Sequence, residues 1–500
     1  MKLKKLIKDL PLKQFKGSKE VEITGICANS KLVAPGNLFI AKKGKSEDGA
    51  QYIPEAVEAG ASAILTDIYD PSLKTVAQLI YPDVGAIEGL VSASYYQFPS
   101  KDLFMVGITG TNGKTTTTFL VKHLLDKLRG PCGLIGTIEY IIGQHRYQAT
   151  RTTPDVTSNH KMLREMLNQG CQSAAMEVTS HALDQGRVEN IEFDVAVFTN
   201  LTLDHLDYHA TMEEYGAAKN KLFRSLKKEP KKANFPKKLA IVNCDSPWTS
   251  KMVEGCLVPI LTYGFDVKAD LRAVEVALTP AGTEFQIVYR GKKFPCVFPL
   301  IGRFNVYNCL AATAVAMAQG TPLEEIIPLL ASVPSVIGRL QPVFNPMQLK
   351  VYIDFAHSDD ALANVLECLK ELKQGKIITV FGCGGDRDRS KRPKMARIAE
   401  EFSDRVIVTS DNPRNEEPEQ IAKEVVAGFQ DRTCYQVELD RRLAIRKALE
   451  QATPQDIVLI AGKGHETYQI FSHKKIEFDD AKVTAQLCEE LHQERLGASV

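Results

Sequence analysis

The 500-residue chain has almost no net charge: 62 Lys and Arg stand against 61 Asp and Glu. No global field therefore draws it to nucleic acid or to an anionic membrane, and a polyanionic ligand has to be held by local groups. It also has no CxxC pair. Its eleven cysteines, an odd number, are scattered from Cys27 to Cys488, which suits free thiols in a reducing compartment and argues against a disulfide framework or structural zinc. The opening MKLKKLIKDLPLKQF is charged throughout and lacks the apolar stretch of about 7–15 residues that a signal peptide needs. No later run approaches the ~18 apolar residues that span a bilayer, so a cytoplasmic protein without membrane insertion is expected. Repeats of solenoid period are missing as well.

What is present is the composition of an ordinary folded protein, 44% hydrophobic and 25% charged, long enough for about three domains at roughly 100–200 residues each. Short apolar segments at 21–27, 38–41 and 63–65, punctuated by Gly and Pro, predict a small α/β unit over 1–100. After a break at Phe98-Pro99-Ser100-Lys101, residues 103–108 read as a buried strand. A helix follows, because Leu120, Leu124 and Leu128, with Val121 and Leu125, recur at three-to-four-residue spacing until Gly130-Pro131. Further runs at 174–178 and 195–199 give the rhythm of a mainly parallel sheet, and a central α/β domain is expected over 101–335. The pattern thins at 334–346, and strands at 377–381, 405–409 and 456–460 predict a third, Rossmann-like α/β domain over 336–500. The basic stretch KKEPKKANFPKK, 227–238, is expected to be a solvated surface insertion without function.

The segment Gly110-Thr111-Asn112-Gly113-Lys114-Thr115-Thr116 joins predicted strand to predicted helix. That order places backbone N–H groups and a helix N-terminus around a triphosphate, with Lys114 on the phosphates and the Thr115 hydroxyl available to magnesium. It is a shortened P-loop, since GxxxxGK[ST] needs a Gly where Ile108 stands.

This short form resembles the loop of the ATP-dependent Mur ligases and their folylpolyglutamate synthetase relatives, which join an amino group to a carboxylate. Other segments follow in the family's order along nearly the whole chain. Asn29-Ser30-Lys31 with Ala34-Pro35-Gly36-Asn37-Leu38-Phe39 is similar to the uridine-binding segment. Thr152-Thr153-Pro154 and Met176-Glu177-Val178-Thr179-Ser180-His181-Ala182-Leu183 are similar to acceptor-binding segments. Thr199-Asn200-Leu201, Asp204-His205-Leu206-Asp207-Tyr208-His209, Ala217-Ala218-Lys219, Asn305-Val306-Tyr307-Asn308, Gly338-Arg339, Asp411-Asn412-Pro413-Arg414 and Gly462-Lys463-Gly464-His465-Glu466 complete the series. Departures are small: Thr179 stands for a usual Ser, Arg151 for Asn, Asn29 for Asp, Lys31 for Arg, and Asp359 for Pro.

The resemblance implies that a monomer extends UDP-N-acetylmuramoyl-L-alanyl-D-glutamate by meso-diaminopimelate through an acyl phosphate made from ATP. It assigns Lys114, Glu177, His205 and a carbamylated Lys219 to catalysis, and Thr115, Glu177 and His205 to magnesium. ATP falls to Gly110 through Thr116 with Asn305, Arg339 and Asp354. The uridine-linked acceptor falls to Ser30, Thr152, Thr153, Thr179, Gln185 and Arg187. Lys219 lies in a helix-like stretch where an exposed lysine is the default, and its carbamate rests on the family match alone.

Diaminopimelate is assigned to Arg387, Asp411, Asn412, Pro413, Arg414, Gly462 and Glu466, three predicted strand ends at the carboxyl edge of one sheet. Diaminopimelate differs from lysine by a distal carboxylate, which an Arg fork grips through paired charged hydrogen bonds. A dinucleotide fingerprint at Gly382-Cys383-Gly384 is disfavoured because its third Gly falls on Arg387. The remaining alternatives are a lysine-adding ligase, a folylpolyglutamate synthetase, and a P-loop switch that hydrolyses nucleotide to control a partner.

Overall fold

The computed structural model describes residues 1–497 apart from Asp9, Lys45, Ser46, Leu206, Asp207, 228–231, 233–236 and His473. Three large sheets and the two-stranded pair Tyr468–Phe471 and Lys474–Glu477 carry these residues. In the first, the strands run Gln14–Lys16, Ala77–Ile80, Ala63–Thr66, Asn37–Ile40, Gly25–Cys27, parallel except for the Gln14–Lys16 edge. Three of them are buried at every position, as continuous apolar strands covered on both faces must be.

The second sheet has eleven strands. Its middle is parallel, in the order Ile260–Gly264, Leu239–Asn243, Val195–Phe198, Phe104–Thr109, Ser173–Glu177, Cys132–Ile135. Antiparallel hairpins extend both ends. Leu271–Thr279, Gly282–Tyr289 and Lys292–Phe298 lie on one side, Glu139–Ile142 and His145–Gln148 on the other. The apolar runs at 174–178 and 195–199 are the strands foreseen, displaced by no more than a residue. The helix Lys114–Leu128 packs Leu120, Val121, Leu124 and Leu125 against Val306, Leu310, Ala314 and Val315 of Arg303–Ala318 in one core. The second helix is apolar nearly all round and correspondingly buried.

The third sheet runs Gln341–Val343, Lys350–Asp354, Ile457–Ala461, Ile377–Phe381, Arg405–Val408, Tyr435–Val437, parallel except for its first strand. Asp359, in the usual proline position, is the first residue of the helix Asp359–Glu371, where Ser358 caps the end and an acidic first turn complements the helix dipole.

The expectation of a solvated insertion at 227–238 fails at two lysines. Lys232 is buried with its Nζ 2.6 Å from Asp194 Oδ2, and Lys238 is buried 2.9 Å from Glu192 Oε1. Asp194 lies under the amino edge of the sheet and accepts from the Met105 amide at 2.8 Å; a buried carboxylate there requires a counter-charge. Residues 228–231 and 233–236 of the stretch lie outside the described residues. No helix among the described residues is long and apolar enough to cross a membrane.

The chain enters the third sheet through Gly338, at φ +66°, where an added Cβ would stand 2.2 Å from the His465 amide nitrogen. Gly338→Ala combines left-handed strain with a backbone clash. It should cost about 2 kcal/mol or more and lower the thermal midpoint by roughly 4 °C or more; calorimetry showing an unchanged midpoint would contradict this packing.

Candidate active site

The strand Phe104–Thr109 ends on Gly110, whose added Cβ would stand 1.9 Å from Thr199 Oγ1. Only a residue without a side chain lets the loop pass that close. The 199–202 segment braces the P-loop: Asn200 O accepts from the Thr111 amide at 2.8 Å, Asn200 Oδ1 accepts from the Asn112 amide at 2.8 Å, and Thr199 Oγ1 donates to Asn112 O at 2.7 Å. The helix Lys114–Leu128 starts directly behind, with Gly113 as its N-cap and Thr115 and Thr116 buried in its first turn. Lys114 Nζ curls onto the Gly110 and Thr111 carbonyls at 2.9 and 2.7 Å.

Glu177 ends the neighbouring strand and is fully buried. Its carboxylate accepts from Thr115 Oγ1 at 3.0 Å, from Thr137 Oγ1 at 2.8 Å and from the Thr137 amide at 2.8 Å. Thr115 and Glu177 thus offer hard oxygen donors side by side beside Lys114, a set that fits magnesium, which keeps several waters and needs few protein ligands. His205, at φ +55°, has its Nε2 3.5 Å from Asp204 Oδ2. Burial holds its imidazole well below the usual histidine range, so the ring is a neutral nitrogen donor at pH 7. Among the described residues no three His, Cys, Asp or Glu side chains gather as a metal cluster. Of the three residues assigned to magnesium, Thr115 and Glu177 are in direct contact, while His205 lies within electrostatic reach of Lys114 and Lys219.

Lys219, on the helix Met212–Arg224, is 1% exposed, against the default of a solvated helix lysine. Its Nζ donates to Gly110 O at 2.8 Å and stands 4.4 Å from the Tyr215 ring centre. Lys114 donates to the same carbonyl. Burial, with the neighbouring Lys114 charge, holds the Lys219 amine well below the ordinary lysine range.

Of the residues assigned to the acceptor, Thr152, Thr153 and Thr179 lie close to Glu177. Thr152 Oγ1 is 3.2 Å from Thr137 Oγ1; Thr153 Oγ1 donates to Glu177 O at 2.8 Å and lies 3.3 Å from Thr179 Oγ1. Thr179 caps the short helix Ser180–Asp184, a role the usual Ser would fill equally. Arg187 donates to Thr153 O at 2.9 Å and to Gln185 Oε1 at 2.6 Å. Ser30 is buried in the turn Ser30–Leu32, which Asn29 caps; nearby Cys27 is within electrostatic reach of Asp155, just beyond Thr153. Arg151 is exposed.

The third sheet reaches this centre through two side chains. Arg339 lies over the Phe355 ring, and its Nη2 donates to Thr115 Oγ1 at 3.2 Å. Asp360 Oδ2 accepts from Asn112 Nδ2 at 2.7 Å and from Thr202 Oγ1 at 3.1 Å. Asp354 itself turns inward, accepting from the Leu340 amide at 2.6 Å and the Ala356 amide at 2.7 Å; it fixes the turn that carries Arg339. Asn305 likewise spends its side chain internally, on Ile301 O and Asn308 Nδ2, and it is Asn308 that meets Thr117 Oγ1 at 3.1 Å.

At the carboxyl edge of the third sheet, the loops after Ile377–Phe381, Arg405–Val408 and Ile457–Ala461 converge. Arg414, half-buried at φ +54°, donates to Gly385 O at 2.7 Å. Asn412 Nδ2 donates to Glu466 Oε2 at 2.7 Å, and the Gly385 amide donates to Asn412 O at 2.9 Å. Pro413 is buried between them, an added Cβ on Gly462 would stand 2.7 Å from Asp411 Oδ2, and Arg387 is exposed at the rim. Burial, with Asp411 nearby, pushes the Glu466 carboxyl above its usual range.

Comparisons with known proteins agree with this arrangement. The model of the Mur ligase middle domain matches residues 108–316, that of the Mur ligase glutamate ligase domain residues 338–464, and that of the Mur ligase family catalytic domain residues 22–88. A UDP-N-acetylmuramoyl-L-alanyl-D-glutamate--2,6-diaminopimelate ligase from Chlamydia caviae is 46% identical over 490 residues, 97% of this chain and 99% of that protein. The chain belongs to the Mur ligase family. A ligase of the same name from Caldanaerobacter subterraneus is 40% identical, covering 95% of this Mur ligase and 97% of its own length. A solved structure of that name superposes with a TM-score of 0.70 at 32% identity, covering 98% of this chain and 99% of the other. This Mur ligase is accordingly an ATP-dependent enzyme that forms amide bonds.

Thr137, Asn308 and Asp360 were not among the residues assigned from the sequence. Thr137 follows a strand end, Cys132–Ile135, and becomes Glu177's partner only through strand order; Asn308 stood inside a matched segment. Thr137→Val removes one hydrogen bond to a charged group, worth about 1.5–3 kcal/mol, while keeping the shape. Turnover of this Mur ligase should fall roughly tenfold or more with the thermal midpoint little changed; steady-state kinetics on the folded variant measure it.

Proposed function

We propose that this Mur ligase adds meso-diaminopimelate to UDP-N-acetylmuramoyl-L-alanyl-D-glutamate during peptidoglycan precursor synthesis in the cytoplasm, acting as a monomer. Units at 1–100, 101–335 and 336–500 would serve uridine nucleotide, ATP and amino acid respectively. A carboxylate oxygen of the acceptor attacks the γ-phosphorus of ATP, the bond to the β–γ bridging oxygen breaks, and ADP leaves. The amine nitrogen of diaminopimelate then attacks the acyl carbon, phosphate departs, and the nitrogen loses a proton. Phosphoryl transfer of this kind depends on positioning and charge neutralisation; Lys114 on the Gly110 carbonyl and Arg339 on the Thr115 hydroxyl are the basic groups placed to supply it. Magnesium, held by Thr115 and Glu177 with His205 beside them, would neutralise phosphate charge. Asp360, bridging Asn112 and Thr202, favours a closed site that keeps water from the acyl phosphate.

The observation that carries the choice of amino acid is Arg414, half-buried among Gly385, Asp411 and Glu466. Its guanidinium is suited to a distal carboxylate, and Glu466 to a distal ammonium. Full-length relatives bearing the diaminopimelate ligase name support the same reading. Phosphate release measured with the uridine-linked dipeptide and a panel of amino acids tests it. An unpaired buried Arg costs about as much as the lost charged hydrogen bond, so meso-diaminopimelate should be preferred to L-lysine by roughly a hundredfold or more. Arg414→Ala should raise the KM for diaminopimelate and leave those for ATP and the dipeptide within about threefold. Equal use of lysine by the unaltered enzyme would sink this reading.

Lys219 supports a carbamate. Two amines share the Gly110 carbonyl, and burial shifts the Lys219 amine toward its neutral, nucleophilic form. The nitrogen of the neutral amine adds to the carbon of CO2 and loses one proton, which places an anion beside the Lys114 cation. Lys219→Ala should lose most activity, with partial recovery on adding a short carboxylic acid. Carbon-13 NMR of active enzyme in labelled bicarbonate that shows no carbamate signal would count against it.

A further inference from the structure

Arg441 and Asp480 are among the most deeply buried ionic side chains in the protein, both at 0% side-chain exposure, and no step above uses them. Arg441 opens the helix Arg441–Gln451; Asp480 opens Asp480–Gly497. The pair is bidentate: Nε donates to Oδ1 at 2.8 Å and Nη2 to Oδ2 at 2.7 Å. Two of the three remaining N–H groups go to backbone carbonyls. Nη1 donates to Ser410 O at 3.3 Å, and Nη2 also to Ala461 O at 3.1 Å.

The positions of those carbonyls matter. Ser410 immediately precedes Asp411-Asn412-Pro413-Arg414, and Ala461 immediately precedes Gly462 and the loop that ends on Glu466. The strands feeding the two loops are not neighbours; Ile377–Phe381 lies between them. Arg441 therefore ties together, beneath the sheet edge, the starting points of two loops that no ladder hydrogen bond connects. Gln469 Nε2 reinforces one side, donating to Ser410 O at 3.2 Å and Asp411 O at 2.9 Å. Above the tie, the loops meet again where Asn412 donates to Glu466.

A buried ion pair is poor evidence for stability, because desolvation offsets most of the attraction and apolar replacements are often neutral. A planar fork that satisfies four acceptor contacts at fixed angles does supply geometry. We propose that Arg441, held by Asp480, is a positioning residue for amino-acid recognition: it sets the spacing between Arg414 and Glu466, and through it the match to the two ends of the incoming amino acid. This rests on the amino-acid-binding role given above to the 411–414 and 462–466 loops.

Arg441→Lys separates charge from geometry, since an ammonium still pairs with Asp480 but cannot serve both carbonyls and both carboxylate oxygens. Misplacement on the ångström scale costs up to about a hundredfold in well-fitted sites. The variant should therefore raise the KM for the amino acid about tenfold or more, narrow the ratio between diaminopimelate and lysine, and leave kcat at saturation and the KM values for ATP and dipeptide within about threefold. Asp480→Asn, isosteric, should move the same constants in the same direction. A folded Arg441→Lys enzyme with unchanged amino-acid KM overturns the proposal, as does a fall in kcat with all three KM values unmoved, the mark of a smaller active fraction. Failure of both variants to fold also overturns it, because the pair is then a folding element. If the unaltered enzyme takes lysine, the diaminopimelate reading falls, and the KM shift is read on lysine instead.

Discussion

A parallel sheet presents its strand-end loops and the N-termini of its following helices along one edge only. Two such edges, one from the eleven-stranded sheet and one from the six-stranded sheet, confront each other here, and the contact between them is the Arg339 guanidinium on the Thr115 hydroxyl. Everything else in the centre is arranged around that meeting. Glu177 reaches Thr115 because its strand lies beside the P-loop strand; Thr137 reaches Glu177 because its strand is next again. Asp360 spans the gap a second time, and Gly338 is a glycine because the chain has to cross beneath His465 at that point.

The centre is also a problem in charge. Lys114, Lys219 and Arg339 are basic groups whose charged forms burial disfavours, and Glu177 is a fully buried carboxylate among them. Isolated buried charges are costly, and each is offset by a nearby opposite charge or by donors and acceptors. The Glu177 carboxylate answers with three hydrogen bonds, and the lysines with loop carbonyls. Basic groups outnumber Glu177 in this cluster, and an arriving polyphosphate favours their charged forms, the condition in which its transferring group is stabilised.

Much of this was legible in the amino-acid order because the relevant signals are local. A strand, a glycine-bounded loop and a periodic helix are contiguous, so Gly110 to Thr116 could be read without knowing the sheet. Arg414 stood in a short segment at a strand end, and the three loops around it were foreseen to share an edge. Non-local features were not legible. The burial of Lys219 depends on which face of its helix the P-loop covers, and helical spacing alone does not say. Thr137 and Asp360 depend on strand order and on the meeting of two domains. The two lysines within 227–238 looked solvated because their partners, buried Asp194 and half-buried Glu192, lie some forty residues earlier in the chain. The antiparallel hairpins at 139–148 and 271–298 passed unread, their alternation being weaker than the runs of the central strands.

Asp354 gives its two oxygens to the amides of Leu340 and Ala356, so the turn bearing Arg339 is built before any nucleotide arrives. Recruiting that guanidinium then orders no loop. In calorimetric terms, the nucleotide's entropy of binding carries little charge for freezing backbone at this point, and its heat-capacity change reports surface removed from water more than chain made rigid. A carboxylate whose two oxygens are already held by backbone amides thereby shapes the thermodynamic signature of the site.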